Sequence, residues 1–154
     1  SLDELPETAG STTAPLSPSE LFLQPAEALN RKGEIFAQYK MFQRAIALYS
    51  LALRINPNHL PSLLNTATAY YNNGDTGRTI SILERLLISH PRHDEILAHR
   101  ILLAQAYVKN GDHGKGLKNI EIAIELNPAI KQAVHENAVF EPIRTMEAYK
   151  KLIQ

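Results

Sequence analysis

"YYNNGD" at Tyr70–Asp75 and "YVKNGD" at Tyr107–Asp112 are nearly the same phrase, 37 residues apart. Each is flanked by stretches whose apolar residues recur at steps of three and four, the spacing of one helix face. Glycine there takes the left-handed conformation that ends a helix, at no steric cost. The phrase is therefore expected to be the turn of a helical hairpin, with Gly74 and Gly111 in that conformation. Its recurrence means that the hairpin recurs.

Working outward, Asn56–Pro57, His90–Pro91 and Asn127–Pro128 stand 34 and then 37 residues apart. A residue before proline is pushed out of the helical region, so each pair ends a helix. Between the stops lie two helices. In "ALNRKGEIFAQY", Ala26, Leu29, Gly33, Phe36 and Ala37 share one face. In "FQRAIALYSLALRI", Phe42, Ala45, Ile46, Tyr49, Ala52 and Leu53 do the same.

This period with a proline near its end resembles the tetratricopeptide repeat (TPR). The family places small residues at its eighth, twentieth and twenty-seventh positions, an aromatic at the eleventh, a bulky residue at the twenty-fourth and proline at the thirty-second. Residues 26–59 supply Gly33, Phe36, Ala45, Tyr49, Ala52 and Pro57; residues 60–93 supply Ala67, Tyr70, Thr79, Leu83, Leu86 and Pro91. Residues 97–130 supply Ala104, Tyr107, Gly116, Ile120, Ala123 and Pro128. Small residues let paired helices approach, and Ala45 and Ala104 are expected to have no spare volume around them. Leu86 is larger than the family prefers, Lys32 and Arg100 stand where it usually has apolar residues, and Asp94–Ile96 is an insertion that lengthens the first helix of the third repeat, with Asp94 as its N-cap. The resemblance implies an all-α, right-handed solenoid of about three TPR hairpins with a C-terminal capping helical segment at 131–154. That segment starts like a fourth repeat and breaks at Pro142; Met146, Tyr149, Leu152 and Ile153 are expected to cover the end of the third hairpin.

Before residue 25 the texture changes. "SLDELPETAGSTTAPLSPSE" has little to bury and reads as an arm that cannot offset its own ordering entropy. It carries Asp3, Glu4, Glu7 and Glu20 and no Lys or Arg, so the neutral whole, with 16 basic and 16 acidic residues, hides a body of net charge +4 (16 − 12). "LPETA" matches a sortase pentapeptide in letters but stands at the wrong end of a chain. Leu16, Leu21, Phe22 and Leu23 are expected to dock on the solenoid, as a cap of the first hairpin or in a groove, its own or a neighbour's; the last would make the arm a self-association element.

Other classes are argued against. No cysteine means no disulfide, thiolate or Cys-based zinc site. No apolar run approaches the roughly 18 residues of a membrane helix, and no secretory signal opens the chain. Localisation stays open, and a start at Ser1 without Met fits a processed product or an excised piece. No Gly-x-Ser-x-Gly elbow, phosphate-cradling loop or HExxH helix is present, so the chain is read as non-enzymatic, without cofactor or metal. His59, His90, His93, His99, His113 and His135 are read as solvent-exposed residues between repeats.

The resemblance implies a concave groove lined by the first helices, suited to a protein or peptide. The residues expected to line it are Asn30, Arg31, Glu34, Asn65, Thr68, Tyr71, Asn72, Leu102, Gln105 and Lys109. Asn30, Asn65, Asn72 and Gln105 read as an amide ladder able to donate to and accept from a peptide backbone. The acidic C-terminal tails of heat-shock chaperones (Glu-Glu-Val-Asp) are argued against: the family's clamp needs cations where this chain has Glu34, Ala98 and Leu102, and only Asn65 matches. Nucleic acid is argued against by Glu27 and Glu34. The alternative reading is a regulatory or assembly module of a larger enzyme or secretion component.

Overall fold

The computed structural model describes residues 25–90 and 94–154, with the side chains of 94–97 excepted. The expected arm at 1–24, with its docking, lies outside the described residues, as does His93. Among the described residues the structure is all-α: α1 is Ala26–Gln38, α2 Phe42–Ile55, α3 Leu60–Asn72, α4 Thr76–Ser89, α5 Asp94–Lys109 and α6 His113–Leu126. A 3₁₀ turn at Pro128–Ile130, α7 (Lys131–Glu136), a 3₁₀ stretch at Ala138–Ile143 and α8 (Glu147–Ile153) follow. The chain divides into two units after Ala69.

In the first unit, α1 buries Ala26, Leu29, Asn30 and Gly33, and α2 buries Ala45, Tyr49 and Ala52. Ala26, Leu29 and Ala52 form one apolar cluster, and Ala45, Tyr49 and Ala69 another, with Phe36 and Ile46 at its edge. The closest approach is at Gly33. A Cβ there would lie 2.4 Å from Tyr49 Cε1 and 2.7 Å from Cδ1, so the Tyr49 ring occupies the space a side chain would fill. The turn into α2 has no glycine: Lys40 takes φ 58° while the Met41 amide donates to the Phe36 carbonyl at 3.0 Å.

In the second unit the two quoted phrases behave alike. Gly74 and Gly111 take φ 87° and 86°. The Asp75 amide donates to Tyr70 at 2.8 Å and the Asp112 amide to Tyr107 at 2.9 Å, closing both helix ends. The same aspartates then cap the next helices, accepting from the amides of Arg78 at 3.0 Å and Lys115 at 3.2 Å. The backbone bond from Arg78 is the main cause, ahead of its side chain, that holds the Asp75 carboxyl below its usual range.

α5 runs 16 residues against 13 for α1 and α3, the lengthening expected from the insertion, and it begins at Asp94. Ala104 and Val108 of α5, Leu117, Ile120 and Ile124 of α6, and Val134, Phe140, Ile143 and Tyr149 of the C-terminal segment form one buried cluster. Met146, Leu152 and Ile153 pack on its edge. Burying each large apolar side chain is worth roughly 1.5–3 kcal/mol. Pro142 falls inside the 3₁₀ stretch, where its missing N–H interrupts an α-helical ladder, so the would-be fourth hairpin becomes short pieces folded over α5 and α6. Ala45 and Ala104 both have 0 % exposure.

Candidate functional site

In the first unit, the residues expected on the groove face are largely joined to one another. Asn30 Oδ1 accepts from Ser62 Oγ at 3.0 Å and from Asn65 Nδ2 at 3.1 Å. Asn30 Nδ2 and Asn65 Nδ2 both donate to Glu34 Oε1, at 3.1 and 2.9 Å. Asn30 is only 2 % exposed, so its carboxamide bonds within the fold rather than to a passing peptide. Arg31 is exposed and pairs with Glu27 at 3.0 Å. Thr68 spends its hydroxyl proton on the Leu64 carbonyl one turn back, at 3.0 Å.

The network extends to residues whose sequence reading differed. His59 is not a solvated residue between repeats: its side chain is 13 % exposed, with Nε2 at 3.1 Å from Glu27 Oε2 and Nδ1 at 2.7 Å from Ser62 Oγ. The Arg31 bond and then the His59 bond lower the Glu27 carboxyl below its ordinary range. Carboxylate, imidazole and hydroxyl in this order make the relay that activates a serine nucleophile. Here Ser62 has 0 % exposure and gives its single proton to Asn30, so the hydroxyl faces no substrate. The Glu27 carboxylate and the Ser62 hydroxyl hold the His59 ring at its two nitrogens, with the donor and acceptor roles set by the tautomer. Asn30, on the apolar face beside Leu29 and Gly33, was the available signal that a buried polar partner lay opposite.

In the second unit, Tyr71 and Asn72 end α3, while Leu102, Gln105 and Lys109 lie on α5 at steps of three and four, which puts them on one face. The Lys109 ammonium sits 4.4 Å from the centroid of the Tyr71 ring. Tyr71, Leu102 and Gln105 are half-buried, and Asn72 and Lys109 are exposed. The expected amide ladder is thus joined in the structure at Asn30 and Asn65, in the first unit. Sequence reasoning also passed over two bonds of the second unit: the Tyr107 hydroxyl donates to Glu84, and Arg100 donates to Asn119 Oδ1 at 3.1 Å. Burial lowers the Arg100 guanidinium from its usual range, and Asn119 offers that half-buried cation an acceptor.

Among the described residues no three His, Asp or Glu side chains gather where they could hold a metal. Among the same residues no helix is long and apolar enough to cross a membrane.

Two family models match the chain, both described as tetratricopeptide repeat, one over residues 26–59 and one over 100–130. The first coincides with the first repeat read from the spacing, and the second lies within the third. A search of curated proteins found no match.

Proposed function

Because the chain carries tetratricopeptide repeats, which are generally protein–protein interaction modules, we propose that it is a non-enzymatic domain that binds a partner protein or peptide on the first-helix faces of its hairpins. The observation that carries this reading is the stripe of Leu102, Gln105 and Lys109 on α5 with the Tyr71 ring under the Lys109 ammonium. An aromatic face, an aliphatic side chain, a carboxamide and a cation side by side suit an extended peptide: apolar contact anchors it and the amide meets its backbone.

In the first unit the same reading falls on Arg31, Glu34, Asn65 and Thr68. Glu34, exposed and oriented by two amide donors, favours a basic or neutral partner segment. It also supports the exclusion of Glu-Glu-Val-Asp tails, since Asn65 has its amide turned to Asn30 and Glu34. The buried, proton-spent Ser62 supports a non-catalytic role for the Glu27–His59–Ser62 relay. We assign the interaction domain to residues 25–154 and treat 1–24 as an arm appended to it.

Peptides selected from a random library against the 154-residue chain test the reading. The expected result is binding weakened about tenfold or more by Tyr71→Ala or Leu102→Asp, as for residues at the centre of a contact. Ile88→Asp, at a position 83 % exposed on α4, should leave it unchanged. Equal binding to all three variants, or micromolar binding of a peptide ending in Glu-Glu-Val-Asp, would overturn it.

A further inference from the structure

The α5 face has a charge pattern that narrows what can occupy it. Lys109 is exposed at one end, its ammonium over the Tyr71 ring. Among the described residues no carboxylate pairs with it. Neither α3 nor residues 98–109 of α5 contain Asp or Glu. Leu102 precedes Lys109 along the helix by about 10 Å, at ~1.5 Å per residue, and Gln105 stands between them. The face thus sets an apolar contact, a carboxamide and a cation without a carboxylate in one line.

A complementary pattern occurs in this chain. Glu20-Leu21-Phe22-Leu23 lies between Pro18 and Pro25, which favour polyproline II over helix. In that conformation residues three apart return to the same side, about 9 Å apart at ~3.1 Å per residue. Glu20 and Leu23 then match the spacing of Lys109 and Leu102, and the backbone between them passes Gln105, whose amide can donate and accept. The wider charges agree in sign. Residues 1–24 hold Asp3, Glu4, Glu7 and Glu20 without a cation, and the rest of the chain is net positive.

We propose that the α5 face binds residues 20–23 of a second copy of this chain, with Glu20 at Lys109 and Leu23 against Leu102, so that the arm links two molecules. This rests on the α5 reading given under Proposed function and names its occupant. A second copy is preferred to the chain's own arm because Leu23 stands just before Gln24 and Pro25, and α1 begins at Ala26. So short a tether holds the segment beside the first turn of its own α1 and puts no limit on another molecule. Exchange between two copies also makes the contact twice, and the second forms at the effective concentration that the first provides. Burial of Leu23 carries the affinity, while the exposed ion pair sets the register.

Sedimentation of the whole chain from micromolar to millimolar concentration tests this. The expected result is a concentration-dependent dimer that is lost in Leu23→Asp and weakened about tenfold by Lys109→Glu or by Glu20→Lys. The double variant, with the two charges exchanged, should dimerise within about threefold of the parent. Library-selected peptides separate this inference from the broader reading, since they should still bind Leu23→Asp, whose α5 face is intact. Peptide binding by a parent that stays monomeric would overturn the arm inference alone. A dimer rescued by the charge exchange, with no library peptide bound, would uphold it and overturn the broader reading. A monomer at every concentration, as insertion of the chain's own arm or capping of the first hairpin would give, overturns the proposal, and so does a double variant no better than the single ones.

Discussion

The hairpin α1–α2 and the hairpin α5–α6 close in the same way with their parts exchanged. In the first, the glycine is on the first helix: Gly33 lies under the Tyr49 ring, and Ala45 stands on the second helix. In the other it is on the second helix: a Cβ at Gly116 would lie 2.6 Å from Val108 Cγ2 and 3.3 Å from the Ala104 carbonyl. Close approach is thus a demand on the pair of helices, and either member can supply the missing side chain. The turns differ too. Gly111 and Asp112 both end α5 and cap α6, whereas Lys40 enters the left-handed region at φ 58° and Met41 leaves α2 without a side-chain cap. The first turn adopts a shape that its own residues do not favour, so packing elsewhere must hold it there.

The largest expected difference between the hairpins is alkaline. Tyr49 occupies the place that Ile120 takes in the other hairpin, and burial first, then the Glu34 charge, pushes its phenol up to about 12 from 10.0. A raised folded value means the native state holds the proton more tightly, so this stabilisation is full below pH 10 and is lost as pH rises through about 12. The loss should amount to about 3 kcal/mol. Urea unfolding from pH 9 upward should show that decline, and Tyr49→Phe should remove it; the same decline in the variant would assign it to other groups.

Next is the exchange of glycines. Gly33→Ala should destabilise by about 2 kcal/mol, since the buried ring has nowhere to go, and Gly116→Ala by a similar amount, since the added Cβ meets both the Val108 methyl and the Ala104 carbonyl. Adding Tyr49→Leu to Gly33→Ala should give a coupling above ~0.5 kcal/mol, because the two changes share one volume. Strict additivity would mean that the ring and the glycine do not compete.

The caps follow. Asp112→Ala should cost about 1 kcal/mol, and Met41→Asp, which gives α2 the cap that α6 already has, should raise stability by a similar amount. Equal and opposite changes in urea midpoint would show that the hairpins differ here by one side chain; no gain from Met41→Asp would show that Met41 packing outweighs a cap. The smallest effect is expected at the turn residue. Lys40→Gly relieves a left-handed strain of about 1–2 kcal/mol, most of it offset by the larger chain entropy of glycine, for a net gain of about 0.5 kcal/mol. Gly111→Ala should lose about 1 kcal/mol.

Much of the fold was legible in the spacing because helix faces, proline stops and glycine turns are local: a residue's neighbours in sequence decide them. Leu29, Gly33, Ala45, Tyr49 and Ala52 were placed on their faces by periodicity, and Gly74 and Gly111 by the need for positive φ. The first turn was not legible from its own residues, because Lys40 carries no such signal. The candidate site was harder to read, for a reason that Asn30 and His59 make plain. On a helical wheel Asn30 stands at the edge of the apolar face, with nothing to name the partner of its amide, and His59 is a loop histidine. Only the packing of α3 on the first hairpin brings Ser62 and Asn65 to Asn30, residues 32 and 35 positions away, and sets His59 against Glu27. Hydrogen bonds over that separation depend on ångström-scale placement of three helices, which a period of three and four does not encode. The polar face could be read from the pattern of residues; which of its groups turn inward to one another, and which stay exposed, was settled by tertiary packing.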